Sequence, residues 1–215
     1  GMPHPETGAG LFVHLPEDQH RILEHPHLLQ LPVELLSLPG AFPDTAEHTD
    51  PFEIANQIMG HPNFSMYGPE HHVLTPVAIL TALRNSGIKK PSGNSITEKD
   101  IKEAIRRASK IPGGWCGFYG SCGSGMGSGV AISVFTDANP STDKERTFAN
   151  EITSRSLARI ADNLEHCCKR SVKLSIREAI LFLEEKFGIA LNCEPRSCKF
   201  SEANKKCAGS KCPFY

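Results

Sequence analysis

The 215-residue chain has almost no alternation of apolar and polar residues, which argues against strands and leaves helices to build the body. No apolar run approaches the ~18 residues needed to span a bilayer, so no membrane segment is expected. Charge of one sign is also lacking. The 23 Lys and Arg nearly balance the 24 Asp and Glu, for a formal net charge of -1. That removes the electrostatic case for nucleic acid or an anionic membrane. The residues after Met2 (Pro3, His4, Pro5, Glu6) lack the basic and apolar regions of a signal peptide, and Gly1 reads as the remnant of a cleaved tag. These absences predict a cytoplasmic protein. No Lys-Ser/Thr follows the glycine-rich segment at Walker A spacing, and no strand precedes it as a dinucleotide fingerprint requires. Glu70-His71-His72 is not H-E-x-x-H, so the zinc-protease mechanism has no support.

What is present in quantity is cysteine, with eight residues. In a reducing compartment such a number points to metal ligation or redox chemistry before disulfides. Four of them, Cys193, Cys198, Cys207 and Cys212, occupy the last 23 residues as C-x4-C-x8-C-x4-C. Two pairs, each closing a short loop, fit four thiolates converging on one zinc ion or on an iron–sulfur cluster, and the spacing does not choose between them. The tail is expected to carry its own four ligands and to need nothing from the rest of the chain.

Three segments follow from the organisation of the sequence. Residues 1–49 read as a Pro- and His-rich arm with one short helix, packed on the body; its six histidines (His4, His14, His20, His25, His27, His48) are irregularly spaced and read as surface. Residues 50–192 form the helical body, and 193–215 the metal-binding tail. In the body, Asp50-Pro51 with Glu53 marks one helix start. Thr75-Pro76 marks a second before the apolar stretch Val77 to Leu83. Thr97 with Asp100 opens a third, and Thr142 with Glu145 and Ser175 with Glu178 form capping-box patterns for two more. Gly188 suits the left-handed residue that ends the last. The expected fold is all-α, an irregular bundle of five to seven helices with a small C-terminal four-cysteine knuckle.

Within the body, residues 113–129 hold eight glycines in 17 positions, with Cys116 and Cys122 among them. One reading is a cysteine-bearing site in a loop where Gly123, Gly125, Gly127 and Gly129 supply an anion nest. A helix start after it would favour a thiolate at Cys122. The other reading is that small residues permit close helix packing, with both cysteines as small buried hydrophobes. Cys167-Cys168-Lys169-Arg170 places two thiols beside two cations. Adjacent side chains diverge, so one cysteine is expected to face inward while the other packs or acts as a redox partner. The same divergence applies to His71-His72, upstream of the expected helix start, of which one could be a ligand or an acid–base group. Cys116, Cys122, one of Cys167/Cys168 and one of His71/His72 could form a second centre.

The run GGWCGFYGSCGSGMGSG, the CCKR element, the GPEHH element and a tail of the form C-x-F-x3-N-x2-C-x-G-x2-C-P-F-Y together resemble an uncharacterised cysteine-rich family of anaerobic bacteria and archaea. The resemblance spans roughly residues 55–215. It implies that these elements share one site design, and it carries no activity.

Three functions are consistent with the residues. The first is a metal-binding protein with a zinc or iron–sulfur tail and a second Cys/His centre, redox or accessory to anaerobic metabolism. The second is a thiol-dependent enzyme using Cys116 or Cys122 with Cys167 or Cys168, His71 or His72 serving as base. The third is a non-catalytic zinc-knuckle module that docks a partner. A small-molecule or protein partner is compatible with all three. Nucleic acid is disfavoured, because the tail lacks aromatics interleaved among its lysines.

Overall fold

A computed structural model describes residues 48–191 and 197–215. The arm up to residue 47, with five of its six histidines, and Cys193 of the tail lie outside the described residues. Seven α-helices follow in order among the described residues: α1 (Pro51–Met59), α2 (Glu70–Asn85), α3 (Glu98–Ala108), α4 (Trp115–Phe118), α5 (Gly123–Phe135), α6 (Asp143–Ile160) and α7 (Cys168–Phe187). A short 3-10 turn, Gly209–Lys211, lies in the tail. No strand is present among the described residues, in keeping with the all-α expectation.

The helix starts show where local chemistry decides and where packing overrides it. Asp50 caps α1, its Oδ1 accepting from the Phe52 N–H at 2.8 Å and from the Glu53 N–H at 3.4 Å. Such a cap stabilises by about 1 kcal/mol. Thr97 and Asp100 make the reciprocal capping box of α3. Thr142 does cap α6, but its hydroxyl turns to the Asn139 carbonyl at 2.9 Å and leaves the helix N–H groups alone.

Two expected starts are corrected. Helix α2 begins at Glu70 and runs through Pro76, so the Glu70-His71-His72 element is its first turn. Ser175 sits in the middle of α7, bonded to the Ser171 carbonyl at 2.8 Å; the helix starts seven residues earlier, at Cys168, because Cys167 occupies its cap. Gly188 takes the expected left-handed conformation at its end, φ 66°.

Proline at 76 removes the N–H that would reach the His72 carbonyl. Gly127 of α5 lies against that carbonyl: a Cβ there would come within 2.7 Å of it. A Cα–H contact of this kind partly replaces the missing donor. The close approach is one point of a longer seam. Gly123 and Gly127, four residues apart, face α2, while Gly125 and Gly129 face α6. A Cβ would meet the His72 ring at 2.3 Å from Gly123, Leu157 at 2.8 Å from Gly125 and Thr153 Oγ1 at 2.0 Å from Gly129. Ser128, between them, bonds the Gly125 carbonyl at 2.6 Å and Ser156 Oγ at 2.8 Å. Helix α5 is thus the axis on which α2 and α6 pack.

The core runs from α1 through α2, α5 and α7, with Phe52, Leu74, Leu80, Ile132, Phe135 and Phe182 fully buried. Phe148 and Phe187 close it edge to face, 5.3 Å between ring centres. No helix among the described residues is long and apolar enough to cross a membrane.

Candidate functional site

The tail is not self-contained. Phe214 is buried against the body, its ring 6.2 Å from that of Phe52 and 5.6 Å from the Lys173 ammonium. The Cys198 N–H donates to the Phe214 carbonyl, which folds the tail back on itself. The tail therefore packs on the body through Phe214, beyond whatever its cysteines ligate. Burying a phenylalanine ring contributes about 1.5–3 kcal/mol to this docking.

Between the tail and the start of α7 lies a small pocket of about 20 Å³, on which Cys198, Cys207, Cys212, Cys167, Arg170 and Lys173 abut. Three of these are the tail cysteines read from the sequence. Cys167 comes from the body. Its sulfur accepts from the Arg170 N–H at 3.4 Å and from Asn204 Nδ2 at 3.4 Å. Asn204 is buried and held in turn: the Tyr67 hydroxyl and the Lys206 N–H both donate to its Oδ1. The Cys207 sulfur accepts from the Gly209 N–H at 3.4 Å. Burial pushes the Cys212 thiol up.

Cations surround these thiols. Lys169, Arg170 and Lys173 are 2%, 6% and 1% exposed, which is costly for charged groups unless anions or π-faces answer them. Arg170 is answered by Asp162 at 2.8 and 3.2 Å and by the Glu165 carbonyl at 2.6 Å. Lys169 donates to the Ser65 carbonyl at 3.3 Å and stands over Phe200 at 4.5 Å and Phe64 at 5.1 Å. Burial lowers the pKa of both lysines. For Lys173 the opposing influences are the sulfurs of Cys198, Cys212 and Cys167.

Cys168 points the other way, so the adjacent cysteines diverge as expected. Its sulfur lies 3.6 Å from His166 Nε2. Burial first, then the neighbouring thiols of Cys122 and Cys116, push it up to about 12. Cys122 is the cap residue of α5, and Cys116 is exposed on the short helix α4. The histidine pair divides too. His72 packs on Gly123, with Nδ1 3.1 Å from the Ile111 carbonyl. His71 is fully buried, Nδ1 3.0 Å from the Gly68 carbonyl, which puts its proton on Nδ1 and leaves Nε2 without a hydrogen bond. Burial, with the Lys169 charge nearby, lowers its pKa to about 3. Burial also raises the Glu70 carboxyl beside it.

Of the internal set, the structure brings Cys116 and Cys122 within electrostatic reach of Cys168 and places Cys167 on the pocket against the tail. The four glycines of the expected anion nest lie inside α5, and none has a positive φ. They make the helix seam, and only the first-turn N–H groups at Gly123, Ser124 and Gly125 remain outside the helical ladder. Among the described residues, no group of three or more His, Cys, Asp or Glu side chains is gathered so as to hold a metal ion. Sequence reading missed Lys173 and Tyr67; Asn204 entered it only as the asparagine of the tail motif C-x-F-x3-N-x2-C. For Lys173 a signal existed: Lys169, Arg170 and Lys173 fall on a stretch where Val172, Ile176 and Ala179 mark an inward face.

The chain belongs to a family of unknown function, DUF5714, over residues 42–215. Comparison with curated proteins and with solved structures found no match.

Proposed function

We propose that the protein is a metalloprotein whose tail cysteines ligate a thiolate-bound centre in the pocket against α7, an iron–sulfur cluster ahead of a single zinc ion. The observation that supports it is the lining of that pocket: Cys198, Cys207 and Cys212 share it with the buried cations Arg170 and Lys173. Thiols that ligate give up their protons, so the loaded centre is anionic, and buried cations match it. The preference for a cluster comes from Cys212-Pro213, which matches the Cys-Pro ending of bacterial ferredoxin motifs; zinc would take the same thiolates at about 2.3 Å. A redox or accessory role in anaerobic metabolism follows for a cluster, and a structural one for zinc.

The thiol-enzyme reading draws little from Cys168. A buried thiol pushed up to about 12 stays protonated and is a weak nucleophile. The test of the metal reading is anaerobic purification of the full chain, followed by iron, zinc and sulfide analysis and an absorption spectrum on one sample. Iron with sulfide and a brown colour supports the cluster; about one zinc per chain, colourless, supports the single ion. A protein with neither, before and after reconstitution, refutes the reading.

A further inference from the structure

We infer that the body supplies a ligand to this centre: Cys167 joins Cys198, Cys207 and Cys212, and the bound metal fastens the tail to the start of α7. The inference rests on the metal reading above and adds which side chain completes the set.

Four observations carry it. Cys167 lines the same pocket as the three tail thiols, while its neighbour Cys168 faces away toward His166. The Cys167 sulfur already accepts two N–H groups, from the Arg170 backbone and from the Asn204 side chain, each at 3.4 Å. Two such donors fix the orientation of the sulfur at the pocket wall. Asn204 belongs to the tail and is itself fixed by Tyr67 of the body, so tail and body are both built around this one sulfur. Finally, Cys167 caps a 20-residue helix. Ser, Thr, Asp and Asn are the usual residues there, and a thiol is a weak acceptor. Cysteine is a poor choice for capping alone and a good one for a ligand. Zinc binding forms four metal–sulfur bonds while four thiol protons pass to solvent, with no electron transfer; a cluster releases the same protons and takes its ferric equivalents from ferric iron supplied with the ferrous iron and sulfide.

The experiment loads the full-length protein anaerobically with a mixture of ferric and ferrous iron and sulfide, and in parallel with zinc, and measures metal per chain. Cys167→Ser keeps a preferred capping residue, so far-UV circular dichroism should match the wild type. Metal retention is expected to fall at least about tenfold in Cys167→Ser, as in Cys207→Ser, because a ligand is lost. Cys168→Ser and Cys193→Ser are expected to load like the wild type. The inference is overturned if Cys167→Ser loads fully, or if Cys193→Ser falls as far as Cys207→Ser. If Cys167→Ser does not fold, Cys193→Ser decides alone: full loading supports the body-supplied ligand, and loss refutes it. A wild type that takes up neither metal overturns the metal reading itself. A wild type that loads, with Cys193 essential and Cys167 dispensable, leaves that reading standing and removes only this inference.

Discussion

Two regions of this molecule are equally odd in composition and opposite in what explains them. The seam of α5 against α2 and α6 is made of glycine and serine, and packing accounts for all of it. Each glycine has a named atom where its Cβ would be, and the serines between them are bonded within α5 and across it to α2 and α6. The pocket between the tail and α7 is made of cysteines and cations. Packing does not account for it, since lysines at 1% and 2% exposure cost stability that an apolar side chain of similar size would not. The lesson is that unusual composition alone does not mark a site. What marks one is charge buried around a set of thiols, which shape alone does not call for.

The largest expected effect tests whether the pocket wall belongs to the core at all. Phe214→Ala should cost about 3–5 kcal/mol, the usual price of emptying a buried phenylalanine site, read as a lower urea midpoint of the whole protein. If proteases trim the tail while the midpoint of the body stays put, the tail is the independent knuckle first expected. Next comes the seam. Gly127→Ala would press a methyl group onto the His72 carbonyl and the Pro76 ring, at 2.7 and 3.0 Å. Overpacking of that kind costs about 1–3 kcal/mol. Gly117→Ala, with open space around it, should stay within about 0.5 kcal/mol of the wild type. Equal effects from the two would mean that the glycines are not there for close approach.

How much of this could be read in advance differs between the regions in the same way. The helices at Asp50 and Thr97 were legible because their caps are local, set by residues two or three apart. The start of α2 was not, because Pro76 ordinarily reads as a first-turn residue. It is tolerated mid-helix only because Gly127, fifty-one positions away, covers the exposed carbonyl. Ser175 and Glu178 imitate a capping box for a similar reason: nothing local says that Cys167 caps the helix earlier. The divergence of Cys167 from Cys168 and of His71 from His72 followed from backbone geometry and was legible. Which way each member points was not, since that depends on how α7 and the tail meet. Asn204 stands in the tail motif, but its partner Tyr67 lies 137 residues away in sequence, and no local pattern pairs the two.

The histidine pair gives a smaller and pH-dependent test. His71 is neutral when folded, with a pKa near 3, against about 6.5 when unfolded. The unfolded chain therefore binds the extra proton, so stability is full above pH 6.5 and is lost as pH falls toward 3. From pH 6.5 to 5 the loss from this one group is about 2 kcal/mol. His71→Gln should flatten that slope when urea midpoints are compared at pH 7.5 and 5.0. An unchanged slope would show that the buried ring near Lys169 is not what senses acid. His72, also lowered by burial but packed in the seam, provides the matching variant for the other region.

The smallest effect bears most directly on why the two regions differ. If Lys173 is buried to face an anionic centre, Lys173→Met should weaken that centre more than it weakens the fold. The expected size is about fivefold in metal affinity by chelator competition, roughly 1 kcal/mol. That is modest for a unit charge near several thiolates, because the effective dielectric around such sites is nearer 20 than 4. Lys173→Arg should restore most of it, since the charge returns even though the hydrogen-bonding shape changes. The alternative is that Lys173 serves only as a strut beneath the Phe214 ring, 5.6 Å away. A strut would be replaced well by methionine, whose flexible chain fills the same space, and affinity would then be unchanged while stability held. Loss of affinity with stability intact is the outcome that separates a pocket built around charge from a seam built around shape.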